Sequence, residues 1–283
     1  MSAVRMEGKA LAAAIKEQVR HQAEQLERRP GMAVVLVGED PGALAYEAGK
    51  RRDCQQCGVY CDTFRLPETT SQEELLDVLQ TLNEREDIDG ILLLLPLPGH
   101  LDTRAAQLAI RPDKDVDGVH PSNLGDLTLG VDGLRPCTPL GVMRLLEEYG
   151  IDPAGKRCTI VGRSNIVGKP QALLLLQRDA TVTICHSKTP DLAEECRRAD
   201  ILISAAGRPG LITADMVQEG TVVIDVAMNQ GADGKLCGDV DYPAVEQKAA
   251  YITPVPGGTG PVTRAILMEN TLRAALAHGT QPG

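Results

Sequence analysis

A tyrosine and a lysine four positions apart, Tyr46 and Lys50, are the first residues whose types and spacing suggest chemistry. The stretch around them is predicted to be helical, so their side chains would lie one turn apart on one face. A phenol ring can stack on a planar substrate, and a lysine can move a proton. Most such pairs only form part of a solvated helix face, so a functional interpretation needs support from elsewhere in the chain.

Three further segments give that support. Pro96–Pro98 follows a predicted buried strand, at the end where parallel sheets place their ligand sites. Lys114–Gly118 carries two carboxylates beside a turn glycine, and Asp117 can accept hydrogen bonds from an amino-pyrimidine ring. The segment Pro254–Pro261 is a stiff corner whose adjacent glycines let the backbone approach a ligand closely. These features favour a small organic substrate.

A phosphate-binding corner is predicted at Gly162–Gly168, between the apolar run Cys158–Val161 and a helical run from Pro170 to Leu176. Backbone N–H groups at such a helix start face outward, and the helix dipole favours an anion there. The spacing is not G-x-G-x-x-G, because Ser164 occupies the middle position. An ordinary Gly-Ser turn has the same pattern, so the corner alone leaves both interpretations open.

The residues that follow the next predicted strand indicate which dinucleotide would bind. Thr181–Cys185 is followed by Ser187 and Lys188, and no Asp or Glu stands there to hold a ribose 2′-hydroxyl. Together with Arg163, these side chains suit a 2′-phosphate, which favours NADP over NAD. The same residues also fit a helix start capped by Thr189, and the two interpretations are compatible.

The elements that must position these residues alternate between strands and helices, which predicts parallel sheets with right-handed crossovers. The predicted strands lie near 32–37, 59–66, 90–95, 157–161, 181–185, 201–205 and 222–226, and the predicted helices near 8–29, 43–57, 71–82, 139–149 and 261–277. Residues 111–139, rich in Pro, Gly and Asp, are predicted to be a long loop, and loops of that length tend to be functional.

Composition excludes several classes of partner. Aromatic residues make up only 2% of the chain, and its net charge is −10, so neither base stacking nor a phosphate backbone is favoured and we expect no nucleic-acid partner. No apolar run is long enough to cross a membrane, and the first residues lack a signal core, so we expect a cytoplasmic protein with no membrane partner.

Eight cysteines fit that expectation as reduced thiols. Cys54, Cys57 and Cys61 are closely spaced and are compatible with a metal site. No fourth ligand lies nearby in the sequence, which favours simple thiols, so we expect no metal.

Taken together, the motifs resemble the bifunctional methylenetetrahydrofolate dehydrogenase/methenyltetrahydrofolate cyclohydrolase family over essentially the whole chain. The matching segments are Tyr46–Lys50, Leu66–Thr70, Pro96–Pro98, Lys114–Gly118, Arg135–Pro139, Gly162–Pro170, Ile224–Val226, Gly238–Val240 and Pro256–Gly258. So many motifs in the family's order leave little room for chance agreement.

The resemblance implies two α/β domains, an N-terminal catalytic domain and a Rossmann-type NADP domain, with the C-terminal helix returning to the first. We therefore expect residues 1–138 plus 262–283 to form the folate-binding domain and residues 139–261 to form the NADP-binding domain. The family oxidises 5,10-methylenetetrahydrofolate with NADP and hydrolyses the methenyl product to 10-formyltetrahydrofolate. The resemblance also implies a homodimer.

Residue roles follow from the same resemblance. Lys50 is expected to be the catalytic lysine, Tyr46 to pack on the folate and take part in catalysis, and Asp117 to hold the pterin ring. The remaining expected substrate contacts are Pro256, Gly257 and Gly258, and the expected NADP contacts are Gly162, Arg163, Ser164, Ile166, Ser187 and Thr253.

The chain departs from the family pattern on its folate side. The family strand ends V-Q-L-P-L-P, and here Leu94 stands in place of the Gln, which the family ties to the cyclohydrolase step. Leucine has neither donor nor acceptor and cannot orient Lys50 or a water. Either the cyclohydrolase step is weakened, which we favour, or a neighbouring group replaces the amide. Further departures are Ala43, Asp126 and Leu140.

Two alternatives outside the family remain open at this point. A two-domain NADP dehydrogenase of the shikimate-dehydrogenase type would share the dinucleotide half but would not need Lys114–Gly118 or the Pro-Gly-Gly corner. A non-catalytic folate-binding module would bind folate and NADP without turnover.

Overall fold

The computed structural model describes residues 2–231 and 234–279, without the side chains at positions 41, 43, 45 and 46. Its strands are β1 (Val4–Arg5), β2 (Gly31–Val37), β3 (Tyr60–Leu66), β4 (Gly90–Leu93), β5 (Arg157–Val161), β6 (Thr181–Cys185), β7 (Ile201–Ser204), β8 (Val222–Asp225), β9 (Asn229–Gln230), β10 (Leu236–Cys237) and β11 (Tyr251–Ile252).

Its helices are α1 (Lys9–Ala23), α2 (Pro41–Cys57), α3 (Gln72–Glu84), α4 (Thr103–Ala109), α5 (Pro121–Leu129), α6 (Cys137–Glu148), α7 (Gly168–Leu176), α8 (Leu192–Arg197), α9 (Tyr242–Val245) and α10 (Thr259–Gly279). Short 3₁₀ turns cover Pro112–Lys114 and Ala214–Met216. Among the residues just described, no helix combines the length and the apolar character needed to cross a bilayer.

The chain forms two compact units. The six-stranded unit comprises Met1–Ala12 and Thr138–Thr263, and the three-stranded unit comprises Ala13–Cys137 and Arg264–Gly283. The predicted division placed the first twelve residues with the other domain. They group with the six-stranded unit because β1 pairs in parallel with β11, where Val4 lies opposite Tyr251.

The six-stranded unit is built on a parallel sheet of order β1-β11-β8-β7-β5-β6. The residues of β7 and β8 are buried throughout, as expected for strands covered on both faces. Val161, Leu202 and Val223 from three of the strands lie in one apolar core cluster. The strands predicted between positions 157 and 226 are confirmed to within a residue, and with them the α/β fold class.

The three-stranded unit has the parallel order β3-β2-β4, with β2 fully buried at the centre. Helix α3 covers this sheet through Leu75, Leu79 and Leu82. Ser71 and Glu74 form a complete capping box at the start of α3, the helix predicted near residues 71–82. The ends of β2 and β4 therefore belong to the same unit as α2, the helix that follows β2.

The long loop predicted over residues 111–139 is wrong in part, because the segment contains a 3₁₀ turn and helix α5. The His120 side chain accepts a hydrogen bond from Ser122 N, and Pro121 occupies the first helical turn. Gly130 ends the helix in the left-handed conformation, with φ of 72°. The Pro-, Gly- and Asp-rich composition did not predict this nine-residue helix, because its ends are set by local capping and it has no apolar periodicity.

The C-terminal helix α10 returns to the three-stranded unit, as the resemblance implied. The buried Asp53 carboxylate on α2 accepts from Arg264 of α10 at 2.7 Å and also pairs with Lys16 of α1. At the far end of α10, His278 Nδ1 lies 3.0 Å from the buried Asp89 carboxylate. Contacts with buried carboxylates therefore hold α10 at two positions, Arg264 and His278.

Candidate active site

Lys50 and Asp117 are brought close together in the three-stranded unit. Lys50 lies on α2 and is only 1% exposed. Burial, together with the neighbouring Asp115 carboxylate, raises the pKa of Asp117 to about 6, and the Lys50 ammonium acts in the opposite direction. A buried cation beside a carboxylate with a raised pKa is the kind of pair that binds and orients a polar substrate.

Tyr46 lies one turn before Lys50 on the same helix, as predicted. Its side chain, like that of Ala43, is outside the part of the chain that the structure describes.

The two carboxylates of Lys114–Gly118 have different surroundings. Asp115 is buried and accepts from His120 N at 2.7 Å and from Asn123 Nδ2 at 3.0 Å, so it anchors the start of α5. Asp117 is less buried and lies beside Gly118, whose φ of 74° requires glycine. Asp115 therefore has a fold-stabilising contact with the start of α5, which the structure does not give to Asp117.

The lysine of the same segment is also a packing residue. Lys114 is 5% exposed, and its ammonium donates to the carbonyl oxygen of Arg85 at 2.7 Å. Desolvation lowers the pKa of Lys114. Because this cation is held by backbone oxygens of the α3 end, it is not placed to meet a substrate.

The backbone around Asp117 is held by residues that the sequence analysis did not single out. The Asn270 amide on α10 donates to the carbonyl oxygens of Val116 at 2.9 Å and of Arg135 at 2.8 Å. The Cys137 thiol donates to the same Val116 oxygen at 3.4 Å. A buried Asn within the apolar sequence of the last helix was the signal that could have pointed to this contact.

Leu94, at the position of the family's Gln, is 5% exposed. Its backbone N–H donates to Val35 O at 2.8 Å, which continues the pairing of β2 with β4 by one residue. The side chain is thus an aliphatic group at the carboxyl end of the strand, immediately before the Pro96–Pro98 segment, and it adds no polar atom to that position.

In the six-stranded unit, the predicted phosphate corner connects β5 to α7. Gly162 has φ of 132°, and a Cβ there would lie 2.4 Å from Ala205 O. A Cβ on Gly168 would lie 2.2 Å from Gly162 O. Both positions therefore require glycine, which distinguishes this corner from an ordinary Gly-Ser turn.

Ser164 hydrogen-bonds the backbone at the start of helix α7 within this corner. Its hydroxyl accepts from Val167 N at 3.1 Å and from Gly168 N at 3.3 Å, and its carbonyl oxygen accepts from Lys169 N at 3.0 Å. The expectation that the helix-start amides face outward is therefore wrong for these three. The side chains of the corner from Arg163 to Ile166 are exposed.

The turn after β6 lies beside this corner, because Gly162 N donates to Cys185 O at 2.9 Å. Ser187 and Lys188 are exposed there. Thr189 does not cap a helix, since its hydroxyl accepts from His186 N at 2.9 Å and the next helix starts at Leu192 after Asp191. Ser187, Lys188 and Arg163 thus come from adjacent strand ends, where parallel sheets bind nucleotides.

The other predicted contacts of this unit lie near the end of β11. Thr253 is 1% exposed, and its hydroxyl accepts from Asp225 N at 2.7 Å, so its side chain joins β8 to β11. In the Pro256–Gly258 corner, Gly257 has φ of 114°, and its carbonyl oxygen accepts from Gly8 N at 2.9 Å. The predicted substrate contacts Pro256–Gly258 lie in the six-stranded unit.

Within residues 2–231 and 234–279, no group of three His, Cys, Asp or Glu side chains is arranged to hold a metal ion.

Comparison with known proteins agrees with these features. Residues 6–117 match the catalytic domain of the tetrahydrofolate dehydrogenase/cyclohydrolase family, and residues 136–279 match its NAD(P)-binding domain. The bifunctional protein FolD of Moorella thermoacetica is 53% identical over 278 residues, which cover 97% of this chain and 99% of that relative.

Solved structures extend the similarity to three dimensions. The bifunctional enzyme FolD, methylenetetrahydrofolate dehydrogenase/cyclohydrolase, from Campylobacter jejuni has a TM-score of 0.96 at 46% identity and covers 98% of this chain and 99% of its own. The Trypanosoma brucei FolD, complexed with NADP and an inhibitor, has a TM-score of 0.94 at 38% identity, covering 99% and 100%. The chain belongs to the tetrahydrofolate dehydrogenase/cyclohydrolase family.

Proposed function

We propose that this protein oxidises 5,10-methylenetetrahydrofolate to the methenyl compound with NADP, and that it hydrolyses the methenyl compound to 10-formyltetrahydrofolate. Family membership and identity above one half to a curated FolD support both steps. The observation that supports the assignment is the buried Lys50 beside Asp117, a carboxylate with a raised pKa in the same unit.

Three residues of the three-stranded unit have roles in this proposal. The Asp117 carboxylate accepts hydrogen bonds from the amino-pyrimidine edge of the pterin, and the Tyr46 ring packs on its plane. Lys50, on the same helix as Tyr46, lies beside the bound one-carbon bridge and stabilises charge or moves a proton there. Its burial excludes water and strengthens its field at that carbon.

The six-stranded unit supplies the NADP contacts. Arg163 and Ser187 bind the 2′-phosphate, and Gly162, Ser164, Ile166 and Thr253 shape the surface on which the nucleotide lies. When bound, NADP accepts a hydride from the methylene carbon. The exposed Arg163, Ser187 and Lys188 at adjacent strand ends fit a phosphorylated ribose, which supports NADP over NAD.

We propose that the cyclohydrolase step is slow relative to hydride transfer. Water must add to the methenyl carbon and the ring must then open with loss of a proton, which needs an oriented donor or acceptor. The buried Leu94 provides neither. Hydride transfer depends chiefly on holding two carbons at reacting distance, so it tolerates this substitution better.

Incubating the purified chain with methylenetetrahydrofolate and either NADP or NAD tests the proposal. Chromatography of the folates should show methenyl build-up with NADP, followed by slow formation of the 10-formyl compound. Prompt conversion with no build-up contradicts the slow second step, and binding of both ligands without turnover favours a non-catalytic folate module. Family membership argues against an enzyme of the shikimate-dehydrogenase type, for which no oxidation of methylenetetrahydrofolate is expected with either nucleotide.

We also propose a cytoplasmic homodimer. The family resemblance supports a symmetric pair. Eight cysteines without a disulfide suit a reducing compartment. Light scattering of the purified chain should give twice the mass of 30.2 kDa.

A further inference from the structure

Three cysteines lie close together where α2 ends and β3 begins. Cys54 and Cys57 are buried on the last turns of α2, and Cys61 is half-buried at the second position of β3. The chain reverses at Gly58, with φ of 70°, and Val59 N donates to Cys54 O at 2.9 Å. This tight reversal brings the helix end back over the strand that follows it.

The reversal sets one face of α2 against one face of β3. Glu47 on the helix accepts from the Thr63 hydroxyl at 3.3 Å and from the Arg65 guanidinium at 2.7 Å on the strand. Cys54 lies two turns along the same helix face, and Cys61 is the next residue of the same alternation on β3. The packing of α2 on β3 therefore sets these two thiols against each other as the next pair in the row.

The two thiols of this row have opposite electrostatic surroundings. A hydrogen bond donated by Cys54 and the nearby Arg51 cation lower the pKa of Cys61, and they outweigh burial and the Glu47 carboxylate, which act to raise it. Its donation to Cys61, together with burial, raises the pKa of Cys54. Burial raises the pKa of Cys57 to about 12, so that thiol stays protonated. Cys61 is therefore the thiol of this row that ionises more readily, and it is also the one that small solutes can reach.

We propose that Cys61 and Cys54 form an oxidation site that hydrogen peroxide converts to an intramolecular disulfide. The Cys61 thiolate attacks one peroxide oxygen, the O–O bond breaks, and the leaving hydroxide takes a proton to form water. Cys61 is then a sulfenic acid. The Cys54 sulfur loses its proton and attacks the Cys61 sulfur, the S–O bond breaks, and a second water leaves. Two thiols are oxidised and one peroxide is reduced to two waters.

The position of the pair suits this sequence of steps. Cys61 is reachable by a small oxidant, whereas Cys54 is buried directly against it and meets the sulfenic acid before any thiol in solution does. The disulfide would tie the end of α2 to β3, one helical turn beyond Lys50. The site does not depend on the folate reaction, so its test is independent of the proposed function.

The test is peroxide treatment of the full-length protein, followed by alkylation of remaining thiols and mass spectrometry of non-reduced peptides. We expect loss of two of the eight thiols, a mass decrease of about 2 Da, and a cross-linked peptide that joins Cys54 to Cys61. Dithiothreitol should restore all eight thiols. Cys61→Ser should abolish the cross-link, and Cys54→Ala should leave a sulfenic acid on Cys61 that dimedone traps.

Cys57→Ser and Cys237→Ser are the matched controls, since one removes the neighbouring buried thiol and the other a half-buried thiol outside this row. Both should form the Cys54–Cys61 bond at the rate of the parent chain. Circular dichroism checks that each variant folds, and the peptide map of the parent chain does not depend on any variant. Oxidation that falls first on Cys237, a bridge that involves Cys57, or a cross-link between two chains would overturn the proposal.

Discussion

Asn270 donates a hydrogen bond to the carbonyl oxygen of Val116, 2.9 Å away, and so holds the residue that precedes Asp117. The same amide nitrogen reaches Arg135 O at 2.8 Å, which ties two loop segments to α10. Because both acceptors are backbone atoms, the contact fixes the path of the chain at Asp117, whatever side chains surround it.

Replacing Asn270 with Asp should weaken folate binding. The carboxylate would face two carbonyl oxygens without a proton to donate, and the loss of a buried donor costs about 1–3 kcal/mol of folding free energy. We expect the KM for methylenetetrahydrofolate to rise about tenfold while kcat falls less, measured by initial rates. Asn83→Asp is the matched control, because its buried amide holds Ala109 O at 2.7 Å. If both variants lose stability and neither changes KM, Asn270 does not position Asp117.

The raised pKa of Asp117 predicts a pH dependence of folate binding. Its value of about 6 means that the carboxylate is the acceptor above that pH and is protonated below it. We expect kcat/KM for the folate to increase as pH rises from 5 to 7.5, with an inflection near pH 6. Asp117→Asn should lower kcat/KM about 10- to 100-fold and remove the inflection. Persistence of the same inflection in that variant would assign it to another group.

Leu94→Gln should accelerate hydrolysis of the methenyl compound. The amide restores a donor and an acceptor at the end of β4, at a cost of about 1–3 kcal/mol for burying a polar group. Stopped-flow decay of the methenyl absorbance measures the step directly. Leu93→Gln, which puts the same amide into the apolar core of the three-stranded unit, should lose stability without a gain in rate. An unchanged decay rate in Leu94→Gln argues that the missing amide is not what limits the step.

Arg163→Ala should change nucleotide preference. Loss of a charge-assisted hydrogen bond to the 2′-phosphate costs about 1.5–3 kcal/mol, which raises the KM for NADP roughly 10- to 100-fold and leaves that for NAD nearly unchanged. Arg178→Ala, an exposed cation beyond the other end of α7, should affect neither. Equal losses with both nucleotides would place Arg163 away from the 2′ position.

The Asp89 carboxylate predicts how stability depends on acid. Burial acts to raise its pKa, but hydrogen bonds from His278, Arg28 and Gly31 N outweigh it and lower the pKa to about 2. A depressed carboxylate pKa contributes stability above the unfolded value, and that contribution disappears as pH falls from about 4 to about 2.

Asp89→Asn should therefore lower the free energy of unfolding by about 2 kcal/mol at pH 7, and the difference from the parent chain should vanish towards pH 2. Urea unfolding across this range measures it. Asp87→Asn removes an exposed carboxylate paired with Arg85 and should cost less than about 1 kcal/mol. A difference for Asp89→Asn that is constant with pH would mean that packing, not charge, is lost.

Much of the fold followed from local pattern. Short apolar runs such as Ile201–Ser204, which alternate with longer helical segments, predict strands buried on both faces. The Ser71–Glu74 capping box marks the start of α3. Helix α5 was missed, since its ends are defined by His120 and Gly130 and not by a repeating apolar face. The two-residue strand β1 exists only through pairing with β11, far along the chain.

The sequence by itself determined the family, the alternation of strands and helices, the two glycine corners, and the identity of Lys50, Tyr46 and Asp117 as candidates, because spacing and residue type are local properties. Only the tertiary structure decided that Asp115 anchors the start of α5, that Ser164 hydrogen-bonds its own helix start, that Asn270 holds the Asp117 segment and that Cys54 lies against Cys61. Each of these depends on burial and on contacts between residues on different elements, and such contacts exist only once the chain has folded.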